Sequence, residues 1–174
     1  KAYAAAEHKG SIGGSVKLGG AAPAARKLAF AGDEFCTSAI AGADVFDEDW
    51  VVNADGTVPN AVVTVKSGPI SDFKFTAPAD RNLVISQKGC MYVPHVFTVM
   101  SGEKFHVSND DQTQHNVHAR PARGDEFNKA QAPGGKDEFV YEKKQSVPFT
   151  CDIHSWMSAH CLVLEHPFSA VTDA

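Results

Sequence analysis

The sequence has no run of about 18 consecutive apolar residues, so no segment reads as a membrane-spanning helix. Basic clusters are equally scarce. Beyond Lys143-Lys144 the lysines and arginines are dispersed, and the formal net charge is -5. Both features argue against a nucleic-acid surface. The chain opens on Lys1-Ala2-Tyr3-Ala4 with no charged leader followed by an apolar stretch. It is expected to be a mature form whose signal peptide has been removed. Long helical periodicity is also lacking; the one helical piece expected is a short turn around residues 155–160.

What remains is β-rich. At 174 residues with 43% hydrophobic content, one domain with a real core is the default. Asn60-Ala61-Val62-Val63-Thr64-Val65-Lys66 is β-branched and alternating, and Gly68-Pro69 stops it. Further strands are expected at 82–86, 96–100, 103–108, 139–141, 145–150 and 161–165. In Glu103 to Ser108, Phe105 and Val107 fall on one face, which leaves His106 on the exposed one. Asp55-Gly56 is a hairpin-turn dipeptide. Short strands with turn signals between them point to a β-sandwich. The first part of the chain is thinner in signal: a polar, Ala-rich arm over residues 1–10, a strand over 11–18, and a connector around Pro23. An acidic stretch over 33–50 reads as a solvated loop, or more sharply as a docking patch for a basic redox partner.

One stretch concentrates metal-binding chemistry: Thr150-Cys151-Asp152-Ile153-His154-Ser155-Trp156-Met157. It holds a thiol, an imidazole and a thioether at C-x2-H-x2-M spacing. On an extended strand Cys151 and His154 would diverge, so the segment is expected to be a loop between two strands. A second imidazole is available at His115, within Gln114-His115-Asn116-Val117. Two His, one Cys and a weak axial Met form the ligand set of a copper that changes valence.

These residues resemble the copper-site signature of the cupredoxins, the blue copper proteins such as plastocyanin. Further stretches resemble a bacterial plastocyanin-like group: Gln87 to Val96, Asn109-Asp110 with His115 to His118, and Glu165-His166-Pro167-Phe168. The resemblance implies an all-β, Greek-key cupredoxin-like sandwich over residues 48–174. Residues 1–47 would form an N-terminal extension with one or two strands packed on it. It implies one type 1 copper held by His115, Cys151 and His154, with Met157 axial and Asn116 tying the two ligand loops together. The His-to-Met spacing is two residues shorter than the plastocyanin pattern, so His118 and His160 stand beside Met157 as axial candidates.

The implied function is single-electron shuttling to a redox partner such as a cytochrome or a copper or haem enzyme, outside the cytoplasm. Passage of the electron is expected at the ring edge of His154, facing solvent or that partner. Trp156 is expected to pack the loop. A copper carrier, a subunit of a larger redox complex, and a Cys151–His154 nucleophilic pair are the competing readings. No second metal cluster is evident; His95 and His166 read as hydrogen-bonding groups of the fold. With Cys151 a ligand, at most one disulfide forms among Cys36, Cys90 and Cys161. The pairing expected is Cys36 to Cys90, although sequence does not rank the three. Cys161 reads as a buried small hydrophobe.

Overall fold

The computed structural model describes residues 1–4, 7, 10–30, 32–79 and 81–173. Eleven strands and one short α-helix occur among them: β1 (Val62–Thr64), β2 (Val84–Lys88), β3 (Met91–Val93), β4 (Val96–Met100), β5 (Lys104–Asn109), β6 (His115–Ala119), β7 (Phe127–Gln131), β8 (Lys136–Val140), β9 (Gln145–Thr150), β10 (Ser158–Leu164), β11 (Ser169–Val171) and α1 (Glu34–Ala39). One sheet runs β4-β10-β9-β6-β7, the second β3-β2-β5-β8, and β1 pairs with β11 as a separate ribbon. The pairs β4–β10 and β2–β5 are parallel, so chain-distant strands lie side by side in both sheets.

Alternation explains the packing. Phe97 and Val99 of β4, Phe105 and Val107 of β5, Val147 and Phe149 of β9, and Ala159, Cys161 and Val163 of β10 all turn into the core. Phe105 of one sheet meets Phe97 and Phe149 of the other at ring-centroid distances of 5.4 and 6.2 Å. Phe139 stacks on Phe105 at 5.6 Å and meets Phe149 of the other sheet at 5.5 Å. These aromatic contacts fasten the two sheets face to face. His106 points away from them and is half-buried, with Glu138 at 3.5 Å. Burial in this apolar layer pushes the Cys161 thiol up, so it stays an uncharged core group.

The N-terminal part differs from expectation. In place of a strand over 11–18, Lys17 makes a single bridge to Thr57. Lys27 does the same with Phe46. Glycines at 13, 14, 19 and 20 weaken any longer ladder there. Residues 34–39, read as solvated loop, form α1: Asp33 caps it by accepting a hydrogen bond from the Cys36 N–H at 2.8 Å. His8 and part of the expected arm lie outside the described residues. Cys36 and Cys90 form a disulfide, which fastens α1 to the turn between β2 and β3. Gly89 and Cys90 both have positive φ in that two-residue turn.

The helical turn expected over 155–160 is absent. The Met157 N–H donates to the His154 carbonyl at 2.9 Å, and the Cys151 N–H donates to the Met157 carbonyl at 3.2 Å. This closes a tight loop and lets β10 start at Ser158.

Candidate metal centre

The loop hangs between β9 and β10, which pair antiparallel from Thr150 opposite Ser158. The neighbouring strand β6 starts at His115. That topology brings His115, Cys151 and His154 together at one end of the sheet, with candidate ligand atoms all within 4.8 Å of one another. The Nδ1 atoms of His115 and His154 are 2.9 Å apart, and Cys151 Sγ is 3.8 Å from His154 Nδ1. All three residues are at most 2% exposed.

The outer nitrogens are already engaged. His115 Nε2 is 2.8 Å from Asp111 Oδ2, and His154 Nε2 is 3.2 Å from Asp33 Oδ2. A carboxylate only accepts, so each ring carries its proton on Nε2 and presents an Nδ1 lone pair inward. Two lone pairs at 2.9 Å repel each other in a buried pocket unless they share a cation. Around a tetrahedral ion with bonds of about 2.0 Å, the two nitrogens would stand about 3.3 Å apart, so a few tenths of an ångström of opening accommodate one. Burial lowers the His115 pKa, against the raising effect of the Asp111 bond; the neutral ring is the ligating form. The sulfur accepts hydrogen bonds from the backbone N–H groups of Asn116 at 3.3 Å and His154 at 3.4 Å, which hold it in place between the two rings. The donor set therefore fits a copper ion.

The supporting residues lock this geometry from several directions. Asn116 Oδ1 accepts from the Asp152 N–H at 2.6 Å, joining the start of β6 to the ligand loop. Its amide also donates to Asn128. Tyr92 donates to the carbonyl of Asn116 at 2.9 Å or that of Thr150 at 3.2 Å, from inside the core. Asp111 fixes His115 and, through the same side chain, accepts from the N–H groups of Gly89 and Cys90 at 2.7 and 2.8 Å. Asp111 was not singled out in the sequence; its i, i+4 spacing to His115 was the available signal.

Asp33 went unseen as well. The His154 edge, expected at the surface, is covered by α1: Asp33 and Cys36 both approach Nε2, Cys36 Sγ at 3.7 Å. His154 is 2% exposed in consequence. Thr113 holds the other side of Asp33 with a 2.9 Å hydrogen bond. Hydrogen bonds from the Cys36 N–H and Thr113, together with His154, keep the Asp33 carboxyl below its usual range. Trp156 packs inward as expected, its ring 4.9 Å from Phe30 and 5.1 Å from His154, with Nε1 donating to the Cys90 carbonyl at 3.0 Å.

Met157 is fully buried, and its backbone closes the ligand loop. The two histidines offered as axial alternatives point elsewhere. His118 binds Asp152 and Glu126, and His160 sits by His95 and Asp49.

Two face-to-face sheets, with one imidazole at the head of β6 and a Cys–His loop joining β9 to β10, make this a β-sandwich with a candidate metal centre at one end. Solved structures of similar fold include an amicyanin mutant in its Cu(I) form, 16% identical, with a TM-score of 0.45 over 49% of this chain and 85% of that one. A purple cupredoxin from Nitrosopumilus maritimus is 21% identical, with a TM-score of 0.41 over 47% and 99% of the two chains. A copper-containing nitrite reductase from Thermus scotoductus is 18% identical, with a TM-score of 0.46 over 60% of this chain and 28% of its own. No protein-family model and no curated protein sequence matches the chain.

Proposed function

We propose that the protein binds one type 1 copper ion through His115 Nδ1, Cys151 Sγ and His154 Nδ1, with Met157 as the axial group, and carries single electrons between redox partners. The observation that supports this most is the pair of inward Nδ1 lone pairs, 2.9 Å apart beside a buried thiol, with both Nε2 atoms already bonded to carboxylates. Bound copper supplies the Cu(II)/Cu(I) couple. The chain's part is to hold one ligand geometry in both valences. Asn116 and Tyr92 tie β6 to the ligand loop, Asp111 and Asp33 orient the two rings, and the N–H groups at 116 and 154 hold the sulfur in place. Loading releases the Cys151 proton, so copper affinity rises with pH.

Burial of all three ligands at 2% exposure or less favours retention of the ion over the handing-off expected of a copper carrier. The partner is a redox protein such as a cytochrome or a copper or haem enzyme, and the Cys36–Cys90 disulfide suits an extracytoplasmic setting. Redox cycling of copper-loaded protein tests the reading. An electron carrier bleaches on reduction and recovers its colour on oxidation with its copper retained through dialysis in both states. Loss of the metal on reduction overturns electron carriage in favour of delivery.

A further inference from the structure

A second group of ligating side chains lies apart from the buried centre. His95 directly precedes β4, and His160 lies on β10 in register with Val96. The backbone joins them, the His160 N–H donating to the His95 carbonyl at 2.7 Å. Their rings stand edge to face with centroids 5.3 Å apart. Asp49 reaches both from the N-terminal segment: its Oδ1 is 3.6 Å from His95 Nε2 and 3.9 Å from His160 Nε2.

Three features distinguish this group from a chance meeting of surface charges. First, the His95 side chain is only 3% exposed, and its Nδ1 is 2.9 Å from the Ser158 carbonyl. A carbonyl accepts only, so the proton of neutral His95 is on Nδ1 and Nε2 offers a lone pair. A backbone carbonyl holding the far nitrogen is the usual support of a metal-bound imidazole. Second, that lone pair faces a carboxylate oxygen at a distance too long for a hydrogen bond. Two acceptors facing each other leave room for a cation. Third, the spacing suits one. Ligand atoms about 2.0–2.1 Å from a tetrahedral ion lie about 3.4 Å from one another, and the two distances here are 3.6 and 3.9 Å. Glu48, 4.0 Å from His95 Nδ1, adds negative charge nearby.

We propose that Asp49, His95 and His160 form a second metal site, for a divalent first-row ion of borderline softness such as Zn2+. Two imidazoles and a carboxylate without sulfur suit such an ion, and they leave one coordination position toward solvent, because Asp49 and His160 are about half exposed. Sequence offered no spacing signal for this site, since its ligands come from three separated segments that meet only through the β4–β10 pairing.

Calorimetric titration of Zn2+ into protein already carrying one equivalent of copper tests the proposal. One further equivalent is expected to bind. In Asp49→Asn and His160→Gln, both at exposed positions, that affinity should fall at least tenfold with the copper absorption and the metal-free unfolding midpoint unchanged. Absence of Zn2+ binding to the wild type, or equal binding by the wild type and both variants, overturns it. Should the buried centre take no copper, the titration is run on metal-free protein. Zn2+ binding lost in His160→Gln but kept in Cys151→Ser supports the second site, and the reverse pattern overturns it.

Discussion

Asp33 Oδ2 lies 3.2 Å from His154 Nε2, although 121 residues separate the two in sequence. The contact makes the N-terminal segment part of the metal centre's wall. Asp33 does three jobs at once: it caps α1, bonds Thr113 and holds the His154 ring. Asp33→Asn keeps the cap, since Asn is an equally good N-cap, but removes the carboxylate that orients His154. Copper affinity is expected to fall about 10- to 100-fold, with little change in the metal-free unfolding midpoint. Competition with a copper chelator measures the first quantity and thermal unfolding the second.

The Cys36–Cys90 disulfide holds that wall in place across a sequence separation of 54. A loop of this length is worth about 4 kcal/mol on the chain-entropy model. Replacing both cysteines by serine should lower stability by roughly 2–4 kcal/mol in denaturant titrations. It should also raise the rate of electron exchange between copies of the protein, because the His154 edge is uncovered when α1 loosens. A variant as stable as the parent, with an unchanged exchange rate, would show that α1 is held by its other contacts alone.

How much of this was legible in the sequence follows from distance along the chain. Cys151 and His154 fall within one loop, and His115 was singled out by the resemblance; the fold brings these three together, while Met157 is buried beside them with its backbone closing the loop. The strands β2, β4, β5, β9 and β10 were readable because each carries a short apolar or β-branched run bounded by turn signals. The short strands β3 and β11 bury too few apolar residues to leave a pattern. The edge strand β7 shows mostly polar, exposed residues for the same reason. The short helical turn expected around residues 155–160 gives way to a loop closed by the Met157–His154 and Cys151–Met157 backbone hydrogen bonds. Asp33, Asp49 and His95 gained their roles only through tertiary contacts, which no local pattern records.

Asn116 gives a prediction about rigidity. Its Oδ1 accepts from the Asp152 N–H, and its amide donates to Asn128. In Asn116→Ala the Asp152 N–H loses its acceptor, and the tie between the start of β6 and the ligand loop is cut. The ligand loop should then exchange its amide protons faster while β5 and β10 keep their protection, which hydrogen exchange resolves residue by residue.

His118 carries the pH dependence. Its hydrogen bonds to Asp152 and then Glu126 raise its pKa, against desolvation and the neighbouring Arg120. A raised folded-state pKa contributes stability that is fully present below the unfolded value of about 6.5 and is lost as pH rises through the folded value. Both carboxylates are about half exposed, so solvent screens the effect. The difference in unfolding temperature between wild type and His118→Gln should therefore be largest at mildly acidic pH and shrink toward alkaline pH. A difference that grows with pH would contradict the ion-pair origin.

X-ray absorption at the copper edge, on protein loaded with one equivalent, tests the central claim most directly. One sulfur and two imidazole nitrogens around the ion are expected, with the sulfur signal lost in Cys151→Ser. A copper environment of nitrogen and oxygen alone in the wild-type protein would contradict it.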